Sequence, residues 1–250
     1  MAAEHTIDAL GQFELHPVLG AVGRSVGFSQ SSMMMLIAAV LTIALLVVGM
    51  SAKAVVPGRL QAMAEMLYDF VYKMCIEQIG EEGKKFFPFV FTLFTFIMLG
   101  NLMGLLPFSF TYTSHIAVTF GLAAMVIVLV TVVALAIHGL HFFSYFFPKG
   151  APIALSPLIV TVEIISYLSR PVSLSIRLFA NMVAGHVMFE VFASFIVMMA
   201  GAGLVGYLGG VGPLALNVIL MGFELLVACL QAYVFAVLTC IYLHDAVHLH

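Results

Sequence analysis

The chain has 250 residues, 63% of them hydrophobic and only 8% charged, with a formal net charge of −3 and a mean hydropathy of +1.18. No water-soluble globular domain has that composition, and so small a net charge gives no basis for a nucleic-acid partner. The expected class is an all-α integral membrane protein, a single membrane domain over residues 1–250. It should have about five membrane-embedded helices, one amphipathic surface helix, and a long tilted hairpin formed by the last two helices.

Residues 1–32 mix acidic residues, histidines and glycines and are expected outside the membrane, with His5 and His16 solvated. They show no basic-then-apolar leader. Residues 33–50 are an uncharged apolar run near the ~20 residues a spanning helix needs. Over 57–82 the pattern changes. Leu60, Met63, Leu67, Phe70, Val71 and Met74 recur at helical spacing, while Gln61, Glu65, Asp69, Lys73 and Glu77 take the opposite face. This predicts a helix lying on a membrane surface or against a partner.

Residues 86–143 predict a helical hairpin of two spans with a turn at 107–115. Gly100 and Gly104 form a GxxxG spacing that permits close helix packing, and Asn101 is a polar candidate inside the same span. His115 stands beside a span end, equally suited to anchor or site. Residues 151–200 hold no break except prolines; fully helical they would run ~75 Å, so they must tilt, kink near Pro157 and Pro171, or fold back. A glycine-rich turn at 201–212 then leads into a last span over 213–243. The three cysteines have no metal or redox spacing, and two lie in apolar runs as small packing residues. No metal or other cofactor is expected; His244, His248 and His250 lack a ligand set and are read as solvated.

Basic residues orient the chain. Lys53, Arg59, Lys73, Lys84 and Lys85 fall between the first and second spans and Lys149 between the third and fourth, while the turns at 107–115 and 201–212 carry none. The positive-inside rule places the N-terminus outside and the C-terminus inside.

Polar residues concentrate in the last hairpin. Arg177 sits amid apolar sequence and cannot shed its proton. Holding it at membrane depth costs roughly 3 kcal/mol on insertion scales and ~10 or more in simulations, so a partner or aqueous cavity is implied. At about 100° per residue, Glu163, Arg170, Arg177 and Asn181 share one face, and His186 falls on the opposite one. Glu224 and Gln231, seven residues apart, share a face of the last helix. An antiparallel hairpin would bring Gln231 near the Arg177 face and Glu224 near His186. Ser173 and Ser175 are expected to bond back to their own helix.

The stretch from Leu168 to His186, Leu-Ser-Arg-Pro-Val-Ser-Leu-Ser-Ile-Arg-Leu-Phe-Ala-Asn-Met-Val-Ala-Gly-His, closely resembles the signature of subunit a of F-type ATP synthases. Leu105-Leu106-Pro107 through Thr113-Ser114-His115, Glu163 seven residues before Arg170, and Leu230-Gln231-Ala232-Tyr233-Val234-Phe235 through Tyr242-Leu243 resemble the same family. The likeness spans roughly residues 33–243, and the His186 with Glu224 combination is like that of the alphaproteobacterial and mitochondrial branch.

The resemblance implies a proton-translocating stator working against a ring of small, carboxylate-bearing hairpin subunits and held by peripheral-stalk subunits. It implies Arg177 as the essential charge, Asn181 and Gln231 beside it, and Glu163, His186, Glu224 and His115 along two aqueous half-channels. It also implies a bacterial inner membrane, with the mitochondrial inner membrane as the alternative. There is no GxxxxGK[ST] loop, so the chain is read as a subunit that binds no nucleotide and is no enzyme on its own. The competing class is a stand-alone proton-coupled transporter, which usually shows paired broken helices in both halves; here the first half has none.

Overall fold

In lipid a backbone has only its own amides to bond, so uncharged apolar runs become helices. The computed structural model describes residues 28–51, 58–106, 110–139, 142, 156–201 and 203–248. The order is α1 (Gln30–Ser51), α2 (Arg59–Ile79), α3 (Gly83–Gly104), a 3-10 turn (Tyr112–Ser114), α4 (Ile116–His138), α5 (Ser156–Ala200) and α6 (Leu204–Val247). Among the described residues, five of these six helices, all but α2, are long and apolar enough to cross a membrane. The expected segment 1–32 lies almost wholly outside the described residues, as do His5, His16 and His250.

α2 is helical as its spacing predicts, with Glu65, Asp69, Lys73 and Glu77 exposed, but of the predicted apolar stripe only Val71 and Met74 are buried, beside Ala64, Cys75 and Ile79; Leu60, Met63 and Phe70 stay exposed. Gly80 ends it at φ 86, where a side chain would be strained, and its N–H bonds the Ile76 carbonyl at 2.9 Å. Lys84 and Lys85 then pair with Glu81 and Glu82 at the surface. The core joins α2, α3 and α6 through residues such as Val71, Val90, Phe94, Ile97, Phe235 and Leu243. Cys75 and Cys240 are buried there with their sulfurs 3.8 Å apart. Cys229 is exposed, so it does not pack as an interior residue.

Two expectations are corrected. The Gly100/Gly104 spacing does not seat another helix. A Cβ on Gly100 would strike the Tyr112 ring and hydroxyl, and one on Gly104 would strike the Thr111 side chain, so the pair accommodates the α3–α4 connection. The glycine-rich turn is also far shorter than 201–212. Gly203, at φ 75, completes the reversal, and Gly206, Gly209, Gly210 and Gly212 are already helical. Glycine costs about 1 kcal/mol in a helix, but small residues let two helices approach, and Gly209 receives the Met199 methyl of α5.

α5 runs 45 residues without interruption through Pro171, so it does not fold back. With α6, of 44 residues, it makes the most extensive helix pairing of the fold. Each helix is about 66 Å long, twice the hydrocarbon thickness.

Candidate functional site: a polar seam inside the last hairpin

α5 and α6 are antiparallel, and their register brings polar groups into contact. Asn181 Nδ2 donates to Gln231 Oε1 at 3.1 Å. One turn along, the Glu224 carboxylate lies against Gly185, where any Cβ would overlap it. A side chain there would have to displace the carboxylate at the end of the Glu224 side chain. Glu224 and Gln231 are buried, 6% and 4% exposed. Glu224 Oε1 and Gln231 Nε2 have no hydrogen-bond partner among the described residues. A cavity of about 150 Å³ adjoins Glu224, lined by Asn181, Gly185, Met188, Leu220, Phe223 and Glu224. It is large enough for water, and the Glu224 carboxylate and Asn181 amide in its wall provide polar contacts that water needs.

The α3–α4 connection closes the seam from the other side. The His186 Nε2 and Thr111 Oγ1 atoms are 2.8 Å apart. Asn101, fully buried on α3, donates to the Ala228 carbonyl of α6 at 3.3 Å and accepts from Thr113 Oγ1 at 2.9 Å. Ser114 Oγ donates to the Thr111 carbonyl at 2.6 Å, which holds the turn in shape. His115 is the residue before α4 and stacks on Phe110 with ring centroids 5.2 Å apart. Its Nε2 is shielded from the surface without a partner among the described residues.

Arg177 is placed differently. It is exposed on α5, and among the described residues no carboxylate pairs with it. Ser169, Ser173, Ala180 and Ala184 flank it on the same exposed face. That face is open to another body, while His186, half a turn round, faces Thr111. Ser175 Oγ donates to the Val172 carbonyl at 3.0 Å, a bond back to its own helix.

Arg170 is held within the chain. Its Nη1 lies 3.4 Å from Asp245 Oδ2, and its guanidinium stacks over Tyr167 at 5.5 Å and Tyr242 at 5.0 Å. Glu163 is half-buried on α5, about 21 Å along the axis from Arg177, so it does not join the seam. Sequence reasoning missed Asp245, because the last span was ended at residue 243. The signal was present: Asp245 continues the seven-residue interval of Glu224 and Gln231 two steps further.

A family model described as ATP synthase A chain matches residues 32–244. The chain belongs to that family. Relatives named ATP synthase subunit a agree over nearly their whole length. The protein of Granulibacter bethesdensis is 67% identical over 251 residues, covering 100% of both chains. That of Gluconacetobacter diazotrophicus is 64% identical over 247 residues, 99% of each chain. That of Rhodospirillum rubrum is 48% identical over 241 residues, 96% of this chain and 98% of its own. The family accounts for a subunit of a membrane complex, and the five apolar helices for a multi-pass location.

Proposed function

We propose that this chain is the proton-translocating stator of a rotary F-type ATP synthase, with Arg177 facing a ring of small subunits that carry membrane-embedded carboxylates. The observation that supports it most is the position of Arg177. It is a permanent cation on an exposed face edged by small residues, and among the described residues no carboxylate pairs with it. Small residues let a partner helix approach closely, and a buried cation needs an opposite charge.

Each residue takes a role in that reading. A ring carboxylate facing lipid must be neutral. As it turns to Arg177 the fixed positive charge favours its ionised form, and the proton leaves through one half-channel. Beyond Arg177 it meets the other half-channel and is protonated again. The same charge repels protons and prevents a direct leak between the two passages. His186, Glu224, Asn181 and Gln231, with His115 at the adjoining turn, line the outward half-channel; Glu163 lines the inward one. Each proton crossing contributes about 2.3 kcal/mol per 100 mV, delivered as rotation and used elsewhere in the complex to make ATP. The chain binds no nucleotide itself, and peripheral-stalk subunits hold it against the torque. It resides in a bacterial inner membrane, N-terminus outside and C-terminus in the cytoplasm, in keeping with its alphaproteobacterial relatives and its basic loops.

The deciding experiment is ATP-driven proton pumping in inverted membrane vesicles carrying Arg177→Ala. Loss of pumping with the complex fully assembled supports Arg177 as the gate. Pumping close to the parent rate removes the central claim.

A further inference from the structure

Four polar side chains along the last hairpin carry an atom that is shielded from the surface and has no hydrogen-bond partner among the described residues: Glu190 Oε2, Asn217 Oδ1, Glu224 Oε1 and Gln231 Nε2. Glu224 and Gln231 belong to the seam described above. Glu190 and Asn217 do not, and the proposed cycle leaves them without a task.

Glu190 continues the His186 side of α5, and Asn217 continues the Glu224 face of α6. Glu190 follows His186 by four residues on α5, one turn on and about 40° round the helix. Asn217 precedes Glu224 by seven residues on α6, two turns back on the same face. The hairpin register pairs Asn181 with Gln231, Gly185 with Glu224 and Met199 with Gly209. Asn217 thus faces α5, whereas Glu190, nine residues from both Asn181 and Met199, points half a turn away from α6, on the His186 side. Both are half-buried in stretches that are otherwise apolar. An unpaired buried acceptor costs about 1–3 kcal/mol, and a carboxylate at membrane depth costs several. Water reaching Glu190 from the hairpin end removes both penalties.

We propose that Glu190 forms the outer mouth of the outward half-channel, exchanging protons between external water and His186. This rests on the function proposed above. In the inward direction, the Glu190 carboxylate takes a proton from hydronium and releases water. The resulting acid then gives that proton to the His186 imidazole, through water across the single turn between them, and returns to carboxylate. Outward flow reverses both steps. The spacing suits this, since side chains four residues apart stand about 5–6 Å apart at Cβ.

The test uses the assembled complex in inverted vesicles, with proton pumping read beside ATP hydrolysis and subunit content. Glu190→Gln keeps the shape and polarity but cannot titrate. Glu190→His changes the shape and restores a titrating group. The inference expects Glu190→Gln to lose pumping on the order of tenfold or more while Glu190→His retains most of it. Pumping by Glu190→Gln at the parent rate overturns the inference, as does equal loss in both variants, which marks a packing role. If Glu190→Gln fails to assemble, Glu190→Ser serves as the neutral variant with the same readings. Arg177→Ala is measured alongside. If it abolishes pumping while Glu190→Gln does not, this inference alone fails; if it pumps normally, the reading beneath it fails.

Discussion

Asn181 donates to Gln231 across the hairpin at 3.1 Å, one turn along α5 from Arg177. The bond ties the two longest helices together beside an exposed cation. It also spends the Gln231 carbonyl and leaves its amide nitrogen without a partner among the described residues.

That bond can be measured as a coupling. Asn181→Leu and Gln231→Leu should each lower the thermal stability of the solubilised complex, and the double variant should lose less than the sum. An interaction of about 1 kcal/mol is expected from a net hydrogen bond. Strict additivity in the cycle would mean that the two side chains do not bond in the membrane.

Gly185→Ala places a methyl group where the Glu224 carboxylate lies. Overpacking of this kind costs about 1–3 kcal/mol, and here it displaces a group assigned to the proton path. Pumping should fall sharply. Shortening the partner with Glu224→Asp in the same chain should restore part of it. Undiminished pumping by Gly185→Ala alone would mean that the Glu224 carboxylate does not work from its place beside Gly185.

Thr111 is buried, 4% exposed, and its hydroxyl reaches His186 at 2.8 Å. Thr111→Val keeps the shape and removes the hydrogen bond; Thr111→Ser keeps the hydrogen bond. Vesicle pumping should drop in the valine variant and hold in the serine variant. Equal behaviour of the two would assign the threonine to packing against Gly104.

Asp245→Asn leaves the Arg170 guanidinium without its carboxylate, 3.4 Å away in the parent. Removing one partner of a shielded pair is more damaging than neutralising both. The single variant should lower the melting temperature of the complex, and Arg170→Gln with Asp245→Asn should recover some of it. A double variant worse than the single would mean that Arg170 has a role of its own beyond this pair.

The helices were legible because apolar run length and charge periodicity are local properties. The uncharged run ending at residue 50 and the two-faced pattern from Leu60 to Met74 led directly to α1 and α2. Arg177 and the spacing of Glu224 from Gln231 stood out for the same reason, since charge is costly in lipid wherever the chain goes. The glycines misled. Composition shows that small residues are present, but not whether the space beside them holds a turn, a side chain or a helix. Gly100 and Gly104 face Tyr112 and Thr111, and Gly209 faces Met199 from within a helix.

The sequence alone therefore determined the class, the family resemblance, the helical segments and the groups that a membrane does not tolerate without a purpose. Only the tertiary structure decided which of those groups meet. Asn181 bonds Gln231, Thr111 reaches His186, Gly185 receives Glu224, and Arg170 finds Asp245, while Arg177 stays exposed on the outer face. Burial energy depends on each residue's own chemistry and can be read along the chain. Register between two long helices depends on how small and large side chains interlock over their whole length, and no single stretch of sequence contains that information.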